Sequence, residues 1–318
     1  MYLVPARLPN GELVIKLDNF TIRGKSTGGK ETALIIEELS VIFDVGFQAD
    51  KLETIQNITI SHSHMDHFGC LHFCHGSKKL QNITTPYQII MPQNCLEPFK
   101  AISTAVSSLG RGGFPIEFQN CTFEDGKEQK VIRPFEHLRA DNVVMAEDCK
   151  EIFLMNKNNF VIDAYKMNHK ITSFGYVISE KRPKLKKQYH GLSGAEIKTL
   201  KDSGVDVSEQ IKIPTIAFTG DTQIDAILKN DEFLNVSILI MESTHFDYDP
   251  SDPDCAIQDA IDHGHVHFKQ FVDNISKFKN KYIVLCHFSQ KYRKLADIEE
   301  HFKLLTPEEQ RRIVVWIT

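Results

Sequence analysis

The chain has 318 residues, 42% of them hydrophobic and 25% charged, and carries a formal net charge of −5. This is an ordinary globular composition with ample material for a core. It excludes a polycation, so any nucleic acid would have to be met by a local basic surface.

In chain order, residues 19–25, 33–37 and 41–44 carry β-branched and aromatic side chains and read as strands. The tetrapeptide 27-TGGK-30 is the glycine turn between the first two. Residues 55–60 form another strand, which runs straight into 61-SHSHMDHFGC-70. A strand over 87–91 precedes a helical pattern over 93–109. In the second half, strand 213–218 ends on 219-TGDT-222, strand 236–241 on 242-ESTH-245, and strand 282–286 on His287. A helix is expected after 263-HGHVH-267, reaching Lys277, and another leads into a terminal strand over 312–317. Strand, polar loop and helix recur in both halves, which predicts an α/β fold of two facing sheets with helices outside.

The segment 181–212 differs from its surroundings. It opens with Lys181, Arg182, Lys184, Lys186 and Lys187 and holds few large apolar residues, so it reads as a surface excursion. The seven cysteines are scattered with no CxxC pair, which points away from a disulfide framework and toward a reducing compartment. The opening MYLVPARLPNGEL has no apolar core of a signal peptide, and no run approaches the roughly 18 apolar residues of a membrane span. A soluble protein is expected, with the cytoplasm favoured over nucleus or organelle and no membrane partner.

The chemistry concentrates in the opening cluster. His62 and His64, two apart at a strand's end, project to one side, while Asp66 and His67 follow the turn near a helix start. Such a stretch can serve two neighbouring metal ions, and imidazole with carboxylate suits zinc first, then manganese or iron. Two ions need more ligands than one loop supplies. His169, Asp221 and His287, each after an apolar strand-like run, are the candidates, with Asp221 able to bridge through its two oxygens.

The pattern His62-x-His64-x-Asp66-His67 resembles the signature of the metallo-β-lactamase superfamily. The histidine before a GY pair, the GDT turn, the EST segment, a GH pair near a helix and HFSxxY narrow the resemblance to ribonuclease Z, the tRNA 3′-processing endonucleases. The stretches YHGLSGAEI, LKDSGV and AFTGDT are similar to the short plant-type form, and the likeness extends over roughly residues 20–292. It implies a metallo-β-lactamase αββα sandwich, two facing mixed sheets with outer helices, as one domain over 1–318 with the basic insertion at about 181–212.

The resemblance also implies roles. His62, His64 and His169 would hold one zinc, Asp66, His67 and His287 a second, and Asp221 both. Asp44 would orient a ligand from behind. Glu242 and His265 match the pair that sets ribonuclease Z apart, a carboxylate raising the pKa of an imidazole proton donor. His263 and His267 flank that donor, and the Gly264–His265 dipeptide favours His265. With Asp66 orienting the attacking water, the expected reaction removes the 3′ trailer of precursor tRNA, leaving a tRNA 3′-hydroxyl and a trailer 5′-phosphate. Lys181, Arg182, Lys184, Lys186 and Lys187 would neutralise tRNA phosphates. A homodimer is expected in which one subunit's insertion presents tRNA to the other's site. The bacterial arm is longer and has a Gly/Pro-rich tip, which this segment lacks. Another phosphodiesterase or ester hydrolase on the same fold is the alternative, and a non-catalytic scaffold a more distant one.

Overall fold

The computed structural model describes residues 2–83, 87–109, 120–121, 140–146, 151–154, 157–247 and 253–318. Two mixed sheets face each other. One runs through Leu13–Leu17, Phe20–Gly28, Glu31–Ile36, Val41–Phe43, Asn57–Thr59, Tyr87–Pro92 and Ala140–Ala146. The other runs through Ile152–Leu154, Lys157–Met167, Ser173–Leu185, Ser208–Phe218, Ile238–Glu242, Tyr282–Cys286 and Ile313–Val315.

The layering follows from alternation along buried strands. Ile238, Ile240, Val284 and Cys286 point between the sheets, where they join Ile22, Leu34, Ile36, Val41 and Phe43 of the facing sheet in one core. Their neighbours Leu239, Met241, Ile283 and Leu285 point outward and pack under Phe246, Phe268, Phe271 and Phe302. On the other outer face Ile35, Ile42, Ile58 and Ile89 meet Phe68, Leu71, Cys74 and Phe99 of the helical layer. Both faces of the central strands are therefore covered, which is why they read as unbroken apolar runs rather than as alternation. The predicted sandwich of two facing sheets with outer helices is the fold observed.

Most predicted elements appear with shifted ends. The strand expected over 55–60 is confined to Asn57–Thr59, and the helical pattern over 93–109 opens as a 3-10 turn, Gln93–Cys95, before the helix Leu96–Ser108. The apolar run before His169 is the strand Lys157–Met167, longer than its apolar residues alone because it also takes in Lys157, Asp163 and Lys166.

The basic segment is the expected surface excursion, and it is built from regular elements. Strands Ser173–Leu185 and Ser208–Phe218 stay antiparallel from Tyr176↔Phe218 out to Leu185↔Ser208, so the ladder continues beyond the sheet as a two-stranded ribbon. The helix Gly194–Asp202 lies at its tip, started by a capping box in which Ser193 and Glu196 exchange hydrogen bonds. The ribbon's outer half is largely exposed because no core lies beneath it.

Among the described residues, Cys70, Cys74, Cys95, Cys255 and Cys286 take part in no disulfide, and Cys149 lies outside the described residues. Among the described residues no helix is long and apolar enough to cross a membrane.

Candidate metal centre

Three parallel strands, Ser208–Phe218, Ile238–Glu242 and Tyr282–Cys286, end at one edge of their sheet. Asp221, Glu242 and His287 sit at or just beyond those ends. Across the sandwich, the parallel strands Val41–Phe43 and Asn57–Thr59 deliver Asp44 and the histidine cluster to the same place. Asp66 and His67 lie on the short helix Met65–Phe68, with His64 preceding its first turn. His265 reaches the site by a glycine-capped helix end. Gly264 (φ +78) donates to Ile261 O and His265 to Ala260 O, the pair of bonds that closes a helix through a left-handed residue. A side chain at Gly264 would also meet His169 Nδ1 at 2.7 Å.

The seven predicted ligands converge. His62 Nε2 lies 3.0 Å from His64 Nδ1, which lies 3.4 Å from His169 Nε2. His67 Nε2 lies 3.1 Å from His287 Nε2, and each is 3.4 Å from Asp66 Oδ2. Asp221 stands between the groups, its Oδ2 at 3.6 Å from His62 Nε2 and 3.3 Å from His67 Nε2, its Oδ1 at 3.4 Å from His287 Nε2. Within the set His62, His64, His169 and Asp221, and within the set Asp66, His67 and His287, the ligand atoms all lie within 4.8 Å of one another.

The outward nitrogens test whether this cluster suits metal. His67 Nδ1 donates to Asp44 Oδ2 at 2.7 Å and His169 Nδ1 to Gly264 O at 2.8 Å. His62 Nδ1 meets Ser61 Oγ at 2.9 Å and His287 Nδ1 meets Thr244 Oγ1 at 3.0 Å. With Nδ1 so engaged, four histidines turn Nε2 into the same small space. Five imidazole nitrogens and two carboxylates crowd there, the donor set of a metal site.

Electrostatics agree. Burial holds His62, His64 and His169 below the ordinary histidine value, so they are neutral and able to ligate. Burial also opposes charge on His67, but Asp221 and Asp44 lift it well above that value. Despite burial, His287 and His67 hold both Asp66 and Asp221 low. Burial pushes Asp44 up, against the pull of His67.

A second constellation adjoins the first. Glu242, 1% exposed, accepts from His265 Nδ1 at 2.9 Å through Oε1, which also takes the Thr222 backbone N–H at 2.7 Å. Burial works against a charge on His265, yet Glu242 lifts it to about 9. Against its own burial, Glu242 is held low by His265. His265 also falls in a ligand-distance set with Asp221 and His287. Its Nδ1, 4.0 Å from Asp221 Oδ2, is the nitrogen that Glu242 holds, whereas His62, His67, His169 and His287 turn Nε2 to the cluster and bond their partners through Nδ1. The neighbouring histidines go elsewhere. His263 Nδ1 turns to Asp259 O, and His267 caps the helix Phe268–Asn274 and bonds Asp247 O. His245 lies with its ring 5.9 Å from that of His265, outside every ligand set.

The five basic residues stand on the ribbon, apart from the centre. Lys181 pairs with Glu151, Arg182 with Glu180 and Lys186 with Asp206. Lys184 and Lys187 have no acidic partner among the described residues. Sequence reasoning missed Ser61, Thr244 and the Gly29 backbone N–H, which donates to Asp66 Oδ2 at 2.7 Å. Their only signal was adjacency: Ser61 precedes the cluster, Thr244 lies in 242-ESTH-245, and Gly29 in the 27-TGGK-30 turn.

No family model matches the chain. It is 34% identical over 301 residues to tRNase Z TRZ1 of Arabidopsis thaliana, covering 94% of this chain and 95% of that protein. In fold it is similar to the metallo-β-lactamase fold protein YhfI from Bacillus subtilis, with a TM-score of 0.55, 12% identity, and 92% and 93% of the two chains covered. The short form of human tRNase Z gives a TM-score of 0.50 at 20% identity, covering 85% of this chain and 92% of that one. Near-complete coverage at that identity, with the matching fold and the convergent ligand cluster, decides the assignment: the chain belongs to the tRNase Z family.

Proposed function

We propose that this hydrolase is an endoribonuclease that removes 3′ trailers from precursor tRNA, leaving a tRNA 3′-hydroxyl and a trailer 5′-phosphate. The observation that carries the reading is the Glu242–His265 pair beside the seven-residue ligand cluster. His62, His64 and His169 would hold one ion and Asp66, His67 and His287 a second, with Asp221 between them. Five imidazoles and two carboxylates favour zinc, with manganese as the alternative. When bound, the ions supply Lewis-acid charge at the phosphate and an activated water.

The chain's own residues do the rest. Asp66, steadied by the Gly29 N–H, orients the attacking water. Asp44 stands behind His67 and sets its ring. His265, protonated at neutral pH because of Glu242, gives its proton to the departing O3′. Incubating the protein with zinc and a precursor tRNA, then mapping the cut, tests the assignment. Cleavage next to the discriminator nucleotide is expected. Hydrolysis of small phosphodiesters with the RNA left intact would favour the other hydrolase reading.

Lys181, Arg182, Lys184, Lys186 and Lys187 are the proposed tRNA contacts, in a cytoplasmic homodimer whose ribbons present tRNA across subunits. The ion pairs on the ribbon rank them, since among the described residues Lys184 and Lys187 have no acidic side chain to displace. Replacing both with alanine should weaken tRNA binding and lower its log–log salt slope by about 2, roughly 1 per phosphate contact. Filter binding across a salt series measures this, and hydrolysis of a small phosphodiester should be unchanged. Equal loss on both substrates would give the ribbon lysines a structural role instead.

A further inference from the structure

The two sheets solve the same positioning problem in the same way. On one, buried Asp44 holds His67 directly at 2.7 Å and reaches His62 through a hydroxyl. Ser61 Oγ donates to Asp44 Oδ2 at 2.8 Å and accepts from His62 Nδ1 at 2.9 Å. On the other, buried Glu242 holds His265 directly at 2.9 Å, and Thr244 Oγ1 donates to Glu242 Oε2 at 2.6 Å. That leaves the Thr244 oxygen to accept from His287 Nδ1, 3.0 Å away. All four connecting groups, Asp44, Ser61, Glu242 and Thr244, are buried, so water does not compete for these bonds.

We propose that Thr244 is a positioning residue through which the Glu242 carboxylate, bonded directly to the proton donor His265, also serves the metal ligand His287. The donor count requires this direction. A carboxylate only accepts, so the single Thr244 hydroxyl hydrogen is committed to Glu242, and the bond to His287 must carry the imidazole's own proton. His287 is thereby fixed as the Nδ1–H tautomer with Nε2 turned to Asp66, His67 and Asp221. Its backbone needs the help: His287 has φ +59, an uncommon conformation for a residue with a side chain. A valine at 244 keeps the shape but offers no acceptor, leaving the ring free to change tautomer and turn.

The assignment of His287 as ligand and His265 as donor rests on the proposed function, but the test needs no RNA. In the metal-free full chain, nitrogen-15 histidine spectra should show His287 as the Nδ1–H tautomer in the wild type and in Thr244→Ser. In Thr244→Val that signature should be lost. Zinc affinity by chelator competition should fall about 10- to 100-fold in Thr244→Val, the usual effect of removing a partner of a metal-ligating histidine, and be kept in Thr244→Ser. Glu242→Ala should also weaken zinc binding, although its carboxylate touches no ligand, and the double variant should bind no worse than the weaker single one. A Thr244→Val protein with the wild-type tautomer and zinc affinity would overturn the proposal. So would a Thr244→Ser protein as impaired as the valine variant, or additive losses in the double variant. Should the valine variant fail to fold, the serine variant and Glu242→Ala still decide. Failure of the RNA cleavage assay leaves these readouts untouched, so the two ideas fail separately.

Discussion

Asp221→Ala is expected to strip the protein of most of its metal and lower cleavage by on the order of 10³-fold or more, the several kcal/mol that metal-centred catalysis supplies. Asp221 is the residue whose two oxygens face both ligand groups, and it is only 2% exposed. Without it five imidazoles face one another with only Asp66 beside them and Asp44 behind His67 to offset charge. Elemental analysis after dialysis, alongside a zinc titration of the cleavage rate, checks the outcome. Wild-type metal content in the variant would remove Asp221 from the ligand set. The same residue predicts a pH effect in the wild type. Asp221 and Asp44 overcome burial and lift His67 well above the usual value, so in the metal-free protein this ring carries a proton. Metal must expel that proton. Apparent zinc affinity should therefore rise with pH until His67 is deprotonated, and fall as pH is lowered.

His265→Ala is expected to behave differently, keeping its metal while losing about 10²- to 10⁴-fold in rate, the range for a positioned general acid. The distinction rests on the ring's Nδ1, which is bonded to Glu242 rather than left free toward the ligand cluster. Loss of metal in this variant would make His265 a ligand. The sign of the pH dependence follows from the same pair. A general acid works while protonated, so the rate should decline as pH rises through about 9, the value to which Glu242 lifts His265 against burial. Glu242→Gln removes the main raising influence and leaves burial, which favours the neutral ring, opposed only by Asp221. At saturating zinc the alkaline limb of the rate profile should then move to lower pH. An unmoved limb would mean that another group is the donor.

Much of this centre was legible because its ligands obey local rules. His62, His64, Asp66 and His67 are close in sequence, and Asp221, Glu242 and His287 each follow an apolar run that ends at the same edge of a parallel sheet. A strand buried on both faces announces itself by composition, and its carboxyl end is where polar residues can leave the core. The choice among His263, His265 and His267 was less secure. Only the capped helix end shows why the middle one meets Glu242 while its neighbours turn to Asp259 and Asp247.

What escaped the sequence was long-range or had no distinctive residue type. Ser61, Thr244 and the Gly29 amide are ordinary side chains or plain backbone, and their roles arise from what faces them across the sandwich. The ribbon read only as a surface excursion because charged residues replace apolar ones once there is no core to cover. Its strands persist through hydrogen bonds to each other, which composition does not record. By itself the sequence determined the layers, the ligand types and the family resemblance, since these depend on residue chemistry and short spacings. Only the tertiary structure decided which nitrogen of each histidine is free and which carboxylate stands behind it. Those properties belong to pairs of residues separated by up to 95 positions and joined by single hydrogen bonds.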